Sequence, residues 1–398
     1  MKTIMKKTQA GLSLIEMMIA LGIALFLMSI ALGIFVQETG LYKTSGTQAS
    51  IQSAENAISA LVAPAIRSAG FMGCSSLGYG TGIVNELNIA SSPPPPLGAL
   101  PFLPNNAPAG IFGYDALISA VSTPLTIAEN AVNDTSAADW SPALDASLVG
   151  KIEPGSDVLV LLGPVPGSQP VVVVGFPNNA SLTLSSSVSA SDLSYFSNNQ
   201  WAAISDCNST FIFQITNGAN TPATAALPYA PGSGALTDLA SVSTMVNIFG
   251  TIPITLTASS PTPQVIPLQQ TAFFVAKGNN GQSTLMSAVL GLTTTGSVQW
   301  TVTPLVPGVD NMQVLYGISA AGSSAVVEYV PASGVTSWAS VHSVRMSFLL
   351  AGQLGSLASP PAGAAAVVNN MLGTVVNIPA DSRLRHLFEI TVFMRNAS

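Results

Sequence analysis

Hydrophobic positions fall into three regimes along the chain. From Leu12 to Val36 they are nearly continuous, with Glu16 the one charge. From Ile51 they thin to a helical spacing, Ile51, Ala54, Ile58, Leu61 and Ala65, the pattern of one buried face. Beyond about residue 151 they break into short β-branched and aliphatic runs bounded by Gly, Pro or Asn-Gly. The first two regimes join into one helix from residue 12 to about 68, with Pro64 and Gly70 predicting a kink and a stop. The third predicts strands over 157–162, 170–175, 211–216, 264–268, 270–276, 307–317, 341–350 and 383–396, with turns at Asn217-Gly218 and Asn280-Gly281. Leu387, Glu389, Thr391 and Phe393 alternate in the last run with Phe388, Ile390, Val392 and Met394, and that strand is expected inside the sheet. Residues 75–150 read as irregular, with Pro93–Pro96 a stiff polyproline connector and 111–115 a short strand. The expected fold is α+β: a long N-terminal helix on a large antiparallel β head with two β subdomains.

The apolar segment sets the topology. At ~1.5 Å per residue, residues 12–36 reach ~37 Å, enough to cross a hydrocarbon core of ~30 Å with some tilt. Lys2, Lys6 and Lys7 precede it and few basic residues follow it closely, which places the N-terminus in the cytoplasm. A secretory signal has its small-residue cleavage site after the apolar region. Here the small residue, Gly11, comes before it. Cleavage there leaves the helix on the mature chain with a new amine at Leu12. Glu16 costs roughly 2.5–3.5 kcal/mol at a bilayer centre, so by default it has a partner. The Leu12 amine of an adjacent, staggered helix would serve; a position near the headgroups, where the carboxylate is tolerated, is the alternative.

Lys6-Lys-Thr-Gln-Ala-Gly11 followed by Leu12-Ser-Leu-Ile-Glu16-Met-Met-Ile-Ala-Leu21 resembles the N-terminus of a type IV prepilin. The resemblance implies cleavage after Gly11 by prepilin peptidase, N-methylation at Leu12, and Glu16 as the assembly carboxylate. Leu12 departs from the Phe usual in major pilins, and Gly33 stands where many of them place Pro. Ala65-Ile-Arg67-Ser-Ala-Gly70-Phe-Met-Gly73-Cys74 and Ser205-Asp206-Cys207-Asn208 before an apolar strand are similar to segments of the PilW family of minor pilins. The three C-terminal runs, 307–317, 341–350 and 383–396, are similar to blocks of PilW and of the related J-type pseudopilins of type II secretion.

Composition agrees with an extracytoplasmic β-rich head. Only 7% of residues are charged against 48% hydrophobic, with 34 Gly and 28 Pro. The formal net charge is −7, and loss of the leader lysines makes the mature chain more acidic. Direct nucleic-acid binding, which needs basic clusters, is not expected. Outside the cytoplasm Cys74 and Cys207 are read as one disulfide, two separate buried thiols being the alternative.

No catalytic or metal-binding pattern stands out. His342 and His386 are the two histidines, and neither HExxH nor CxxC spacing occurs. Gly232-Ser233-Gly234 lacks the Gly-x-Ser-x-Gly elbow, Lys277–Gly281 lacks the Gly-Lys-Ser/Thr ending of a phosphate loop, and no loop has calcium spacing. No enzyme activity, cofactor or metal is expected.

The expected organisation is a cleaved leader over 1–11, a transmembrane or filament-core helix over 12–36, an amphipathic helix on the head over 37–70, and a β-rich head over 71–398. The resemblance implies a minor pilin that primes type IV pilus assembly from the pilus tip and so supports twitching motility. It would meet other minor pilins, the major pilin, prepilin peptidase and the inner-membrane assembly machinery. Its location would be the inner membrane with a periplasmic head, then the pilus at the cell surface. A J-type pseudopilin of type II secretion and a pilus-tip adhesin are the alternatives.

Overall fold

A computed structural model describes residues 13–73, 83–85, 110–117, 125–127, 132–178, 181–198, 200–206, 210–215, 226–228, 262–278, 281–292, 298–320, 323–356, 366–379 and 381–395. Gly11, Leu12, Cys74, Cys207, the polyproline run and the Asn217-Gly218 turn lie outside them.

The helix α1 runs from Leu14 to Ser68 without interruption. Pro64 lies inside its last two turns and has no N–H, so the Ala60 carbonyl lacks its helical donor. The chain then turns at Gly70, with φ 76°, and its N–H donates to the Leu162 carbonyl at 2.8 Å. Backbone meets backbone here: a Cβ on Gly110 would stand 2.1 Å from the Gly70 nitrogen, so only glycine fits.

The head contains, in chain order, β1 (Ile83–Asn85), β2 (Ile111–Ala116), β3 (Leu125–Thr126), β4 (Trp140–Ser141), β5 (Val158–Pro164), β6 (Val171–Asn178), β7 (Ser181–Leu184), the one-turn helix α2 (Ala190–Leu193), β8 (Trp201–Ser205), β9 (Thr210–Gln214) and β10 (Ala226–Pro228). There follow β11 (Gln264–Lys277), β12 (Ser283–Leu292), β13 (Val298–Pro307), β14 (Val309–Ser319), β15 (Val326–Val330), β16 (Val341–Ala351), β17 (Ala366–Met371), β18 (Thr374–Ile378) and β19 (Arg385–Phe393). They form a 12-stranded sheet, a 4-stranded sheet in the order β15-β14-β16-β19, and a 3-stranded sheet in the order β17-β18-β3. Pairing is antiparallel apart from two short pairs, β1 with β9 and β18 with β3.

The spine is β11. The two expected strands over 264–268 and 270–276 are one 14-residue strand. Its first half lies between β8 and β6, and its second half lies between β12 and β5. Pro267 is accommodated because its carbonyl still accepts, from Val165 N at 3.0 Å, and only the donor is lost. One face of β11 carries Ile266, Leu268, Ala272, Phe274 and Ala276 into a single core with Trp201, Met286 and Trp300. On the other face Val265 joins a distal core with Phe196, Leu182 and Phe211, whereas Phe273 and Val275 join a core against the helix. These are the two expected β subdomains, joined through one strand. β5 reads as an unbroken apolar run for the same reason: Val158, Val160 and Leu162 enter one core and Leu159 and Leu161 the other.

The helix contributes Ile51, Ile58, Val62, Ala63 and Ile66 to a core against β5, β13, β16 and β19. Each aliphatic side chain of this kind contributes ~1.5–3 kcal/mol when fully buried. Leu61, expected on the buried face, is 44% exposed. At ~100° per residue it lies on the far side of Ile58 from Val62 and Ile66, which define the centre of the stripe. The second correction concerns β19, which among the described residues pairs with β16 alone and closes the 4-stranded sheet as an edge rather than lying inside it. Its alternation is as read: Ile390 and Val392 face the helix-side core, and Glu389, Thr391 and Phe393 are exposed.

Candidate assembly surfaces

The first surface is the N-terminal half of α1. Ser13 is the N-cap, in extended backbone, and its Oγ accepts from Ile15 N at 3.3 Å. Glu16 occupies the third helical position and reaches back, its Oε2 accepting from Ser13 N at 3.0 Å. This is a capping box. Ser13-Leu-Ile-Glu16 carries the Ser-x-x-Glu spacing that announces one, a signal the sequence reading passed over in favour of an intermolecular partner. The two roles are compatible: one carboxylate oxygen caps the helix, and a carboxylate has a second oxygen for another donor. The negative charge also suits the positive end of the helix dipole.

Beyond the cap the helix is apolar all round and none of the described residues covers it. Its mean hydropathy reaches 2.7 over an 18-residue window of which 0% is buried. Leu14 is 78% exposed, and Leu25 and Phe26 are exposed on successive positions. A helix apolar on every side belongs in lipid or among other helices. Gly22 and Gly33 leave open ground along it, since a Cβ at either would meet nothing within 4 Å.

The second surface is where the polar half of α1 meets β19. Glu55 Oε1 stands 3.2 Å from His386 Nε2, and Thr44 Oγ1 donates to the Ser356 carbonyl at 3.2 Å. Next to His386, Arg385 is held in a buried network. Its two terminal nitrogens donate to both oxygens of Asp381, at 2.6 and 2.7 Å, and Nε donates to Asp310 Oδ2 at 2.8 Å. All three side chains are nearly buried. Burial alone would raise the Asp381 carboxyl, but the Arg385 guanidinium overrides it and holds the pKa below the usual range.

A third polar feature pins the sheets together. Asp157 is buried, and its carboxylate accepts from Ala116 N at 2.9 Å and Val314 N at 2.7 Å, tying β2 to β14. Burial, with Asp115 nearby, raises its pKa well above the usual carboxylate range against those two donors.

The structure does not bring the two histidines into one site. His342 is buried on β16, where burial lowers its pKa, and His386 is exposed on β19. Among the described residues no group of three or more His, Cys, Asp or Glu side chains converges.

Residues 6–32 match the family model of the prokaryotic N-terminal methylation motif. Residues 272–396 match that of type IV pilus-assembly protein W. These matches support a PilW-like type IV minor pilin. No curated protein and no solved structure matches it. The two matches divide the PilW-like fold informatively. The first covers the helix start, and the second runs from the second half of β11 to the end of β19 and includes β13, β16 and β19, which pack against α1. The distal subdomain built on β6 to β10 lies outside both. As the family implies, the helix anchors the subunit to the membrane and associates it with the pilus.

Proposed function

We propose that this PilW-like subunit primes type IV pilus assembly as part of a minor-pilin complex and resides at the pilus tip. Prepilin peptidase cleaves after Gly11, the new amine at Leu12 is methylated, and the head folds in the periplasm with Cys74 and Cys207 joined. The mature helix leaves the bilayer and packs among the helices of other minor pilins and the major pilin. The observation that carries this reading is the division of α1: its polar half supplies the head with a core face, and its apolar half is exposed on every side. A subunit so built satisfies itself only in lipid or in a helix bundle. The free oxygen of Glu16 then pairs with the Leu12 amine of a neighbour and sets the axial step. The bulk of the head, with a distal subdomain beyond the helix-packed sheet, favours a terminal position over regular repetition along the filament.

The test is a clean deletion in the native host, scored for sheared surface pili and for secreted type II substrates, with and without pilus retraction. Pili lost, and partly restored when retraction is disabled, is the expected result. Normal pili with secretion lost overturns it in favour of a pseudopilin, and normal pili with attachment lost overturns it in favour of an adhesin. Glu16→Ala, expressed at the normal level in the same strain, is expected to abolish the complementation that Glu16→Asp partly retains.

A further inference from the structure

The edges of the sheets are not treated alike. β13 ends in Pro304 and Pro307, β10 ends in Pro228, β4 is two residues long and leads into Pro142, and β15 is followed at once by Pro331. Proline and short length are the ordinary guards of an edge strand. β19 has neither: its nine residues contain no Pro or Gly, and among the described residues β16 is the one strand it pairs with.

The register fixes which groups are open. Met394 donates its N–H to the His342 carbonyl at 2.9 Å, directly opposite in the ladder. Even-numbered residues of β19 therefore turn their backbone groups to β16, and Leu387, Glu389, Thr391 and Phe393 turn theirs outward. Donors and acceptors repeating every second residue are matched by another extended backbone and by little else. Phe393, 62% exposed, adds an apolar anchor at one end. The charge left at this edge is positive: Arg395 follows the strand, whereas His386 faces Glu55 and Glu389 is paired with Arg345 at 2.8 Å.

We propose that the outer edge of β19 docks an extended strand of another pilus subunit, one that alternates apolar and polar residues and carries a carboxylate toward Arg395. A second copy of this chain fits less well, because two-fold pairing centred on Glu389 sets that carboxylate against itself. The inference rests on the pilus-subunit reading for the identity of its partner. The deletion tests that reading and the experiment below tests the edge, so either can fail alone.

Full-length protein carrying photoreactive benzoylphenylalanine at Thr391, or at Phe393, is expressed in the native host, and crosslinked peptides are mapped. The expected products join both positions to alternate residues of one carboxylate-flanked segment in a different pilus subunit. Crosslinks to a second copy of this chain, to a helical segment, or to no protein overturn the proposal. Thr391→Pro removes one outward N–H while leaving the β16 ladder intact, and Thr391→Val keeps it. With unfolding midpoints of both variants near the parent, the proline variant is expected to lose at least about tenfold in pilus incorporation, the factor that ~1.4 kcal/mol gives, and the valine variant little. Equal incorporation of the two overturns it.

Discussion

The two halves of α1 share one hydrogen-bonded ladder and yet live in opposite surroundings. Ile58, in the polar half, is completely buried, and Leu25, in the apolar half, is 67% exposed. The more hydrophobic half is thus the one left bare. In the polar half a narrow stripe suffices because the head supplies β5, β13, β16 and β19 to cover it. In the apolar half none of the described residues supplies cover, and a sequence apolar on every side suits a partner outside the molecule. Hydrophobicity alone reads the second half as the core; the distribution of hydrophobicity around the helix reads it correctly as an interface.

This comparison can be broken from the head side most forcefully at Arg385. Arg385→Ala leaves Asp310 buried without its cation and Asp381 with Arg383 alone, at 3.7 Å, and thermal or chemical unfolding of the head is expected to show a loss of about 3–5 kcal/mol. Ile58→Ala is expected to cost about 2–5 kcal/mol by the same measurement, whereas Leu25→Ala, in detergent-solubilised protein, leaves the head's unfolding unchanged and reduces incorporation into pili. Equal destabilisation by the two would dissolve the distinction between the halves.

A third prediction uses pH, since the head has titrating groups in its core. Asp157 has a raised pKa when folded, so the folded chain takes up its proton before the unfolded chain does. Its contribution to stability therefore rises as pH falls through the folded value and levels off near the unfolded one, ~3.9. Asp381 works in the opposite sense: the stability it confers is present above the unfolded value and is lost as pH falls through its lowered folded value. Unfolding midpoints measured from neutral pH to about pH 4 are expected to show the Asp157 rise, and Asp157→Asn to flatten it. The smallest effect belongs to Leu61→Ala, expected to stay within about 0.5 kcal/mol because that side chain lies off the buried stripe.

The helix was legible in the sequence because its signals are local: a continuous apolar run, then a 3.6-residue spacing, then Gly70. The strand runs over 157–162 and 341–350 were legible because both are dense in β-branched and aliphatic residues. What was not legible depends on neighbours. Pro267 reads as a break between two strands, and it is tolerated only because of the way its neighbours pair around it. The dense apolar pattern of β19 reads as a central strand, yet its density serves one face and an open edge. Leu61 fits a helical spacing, but the centre of the buried stripe is set by where β16 and β19 lie. The capping bond of Glu16 to Ser13 is legible in the four-residue Ser-x-x-Glu spacing.

One consequence follows from β11 joining the two subdomains. Its neighbours β5, β6 and β8 all emerge on the N-terminal side of residue 264 and wait for it, and β12 follows it. Pairings between strands so far apart along the chain form slowly. Until Gln264–Lys277 is made, β5, β6 and β8 lack the strand that joins them, so the sheet closes only on its arrival.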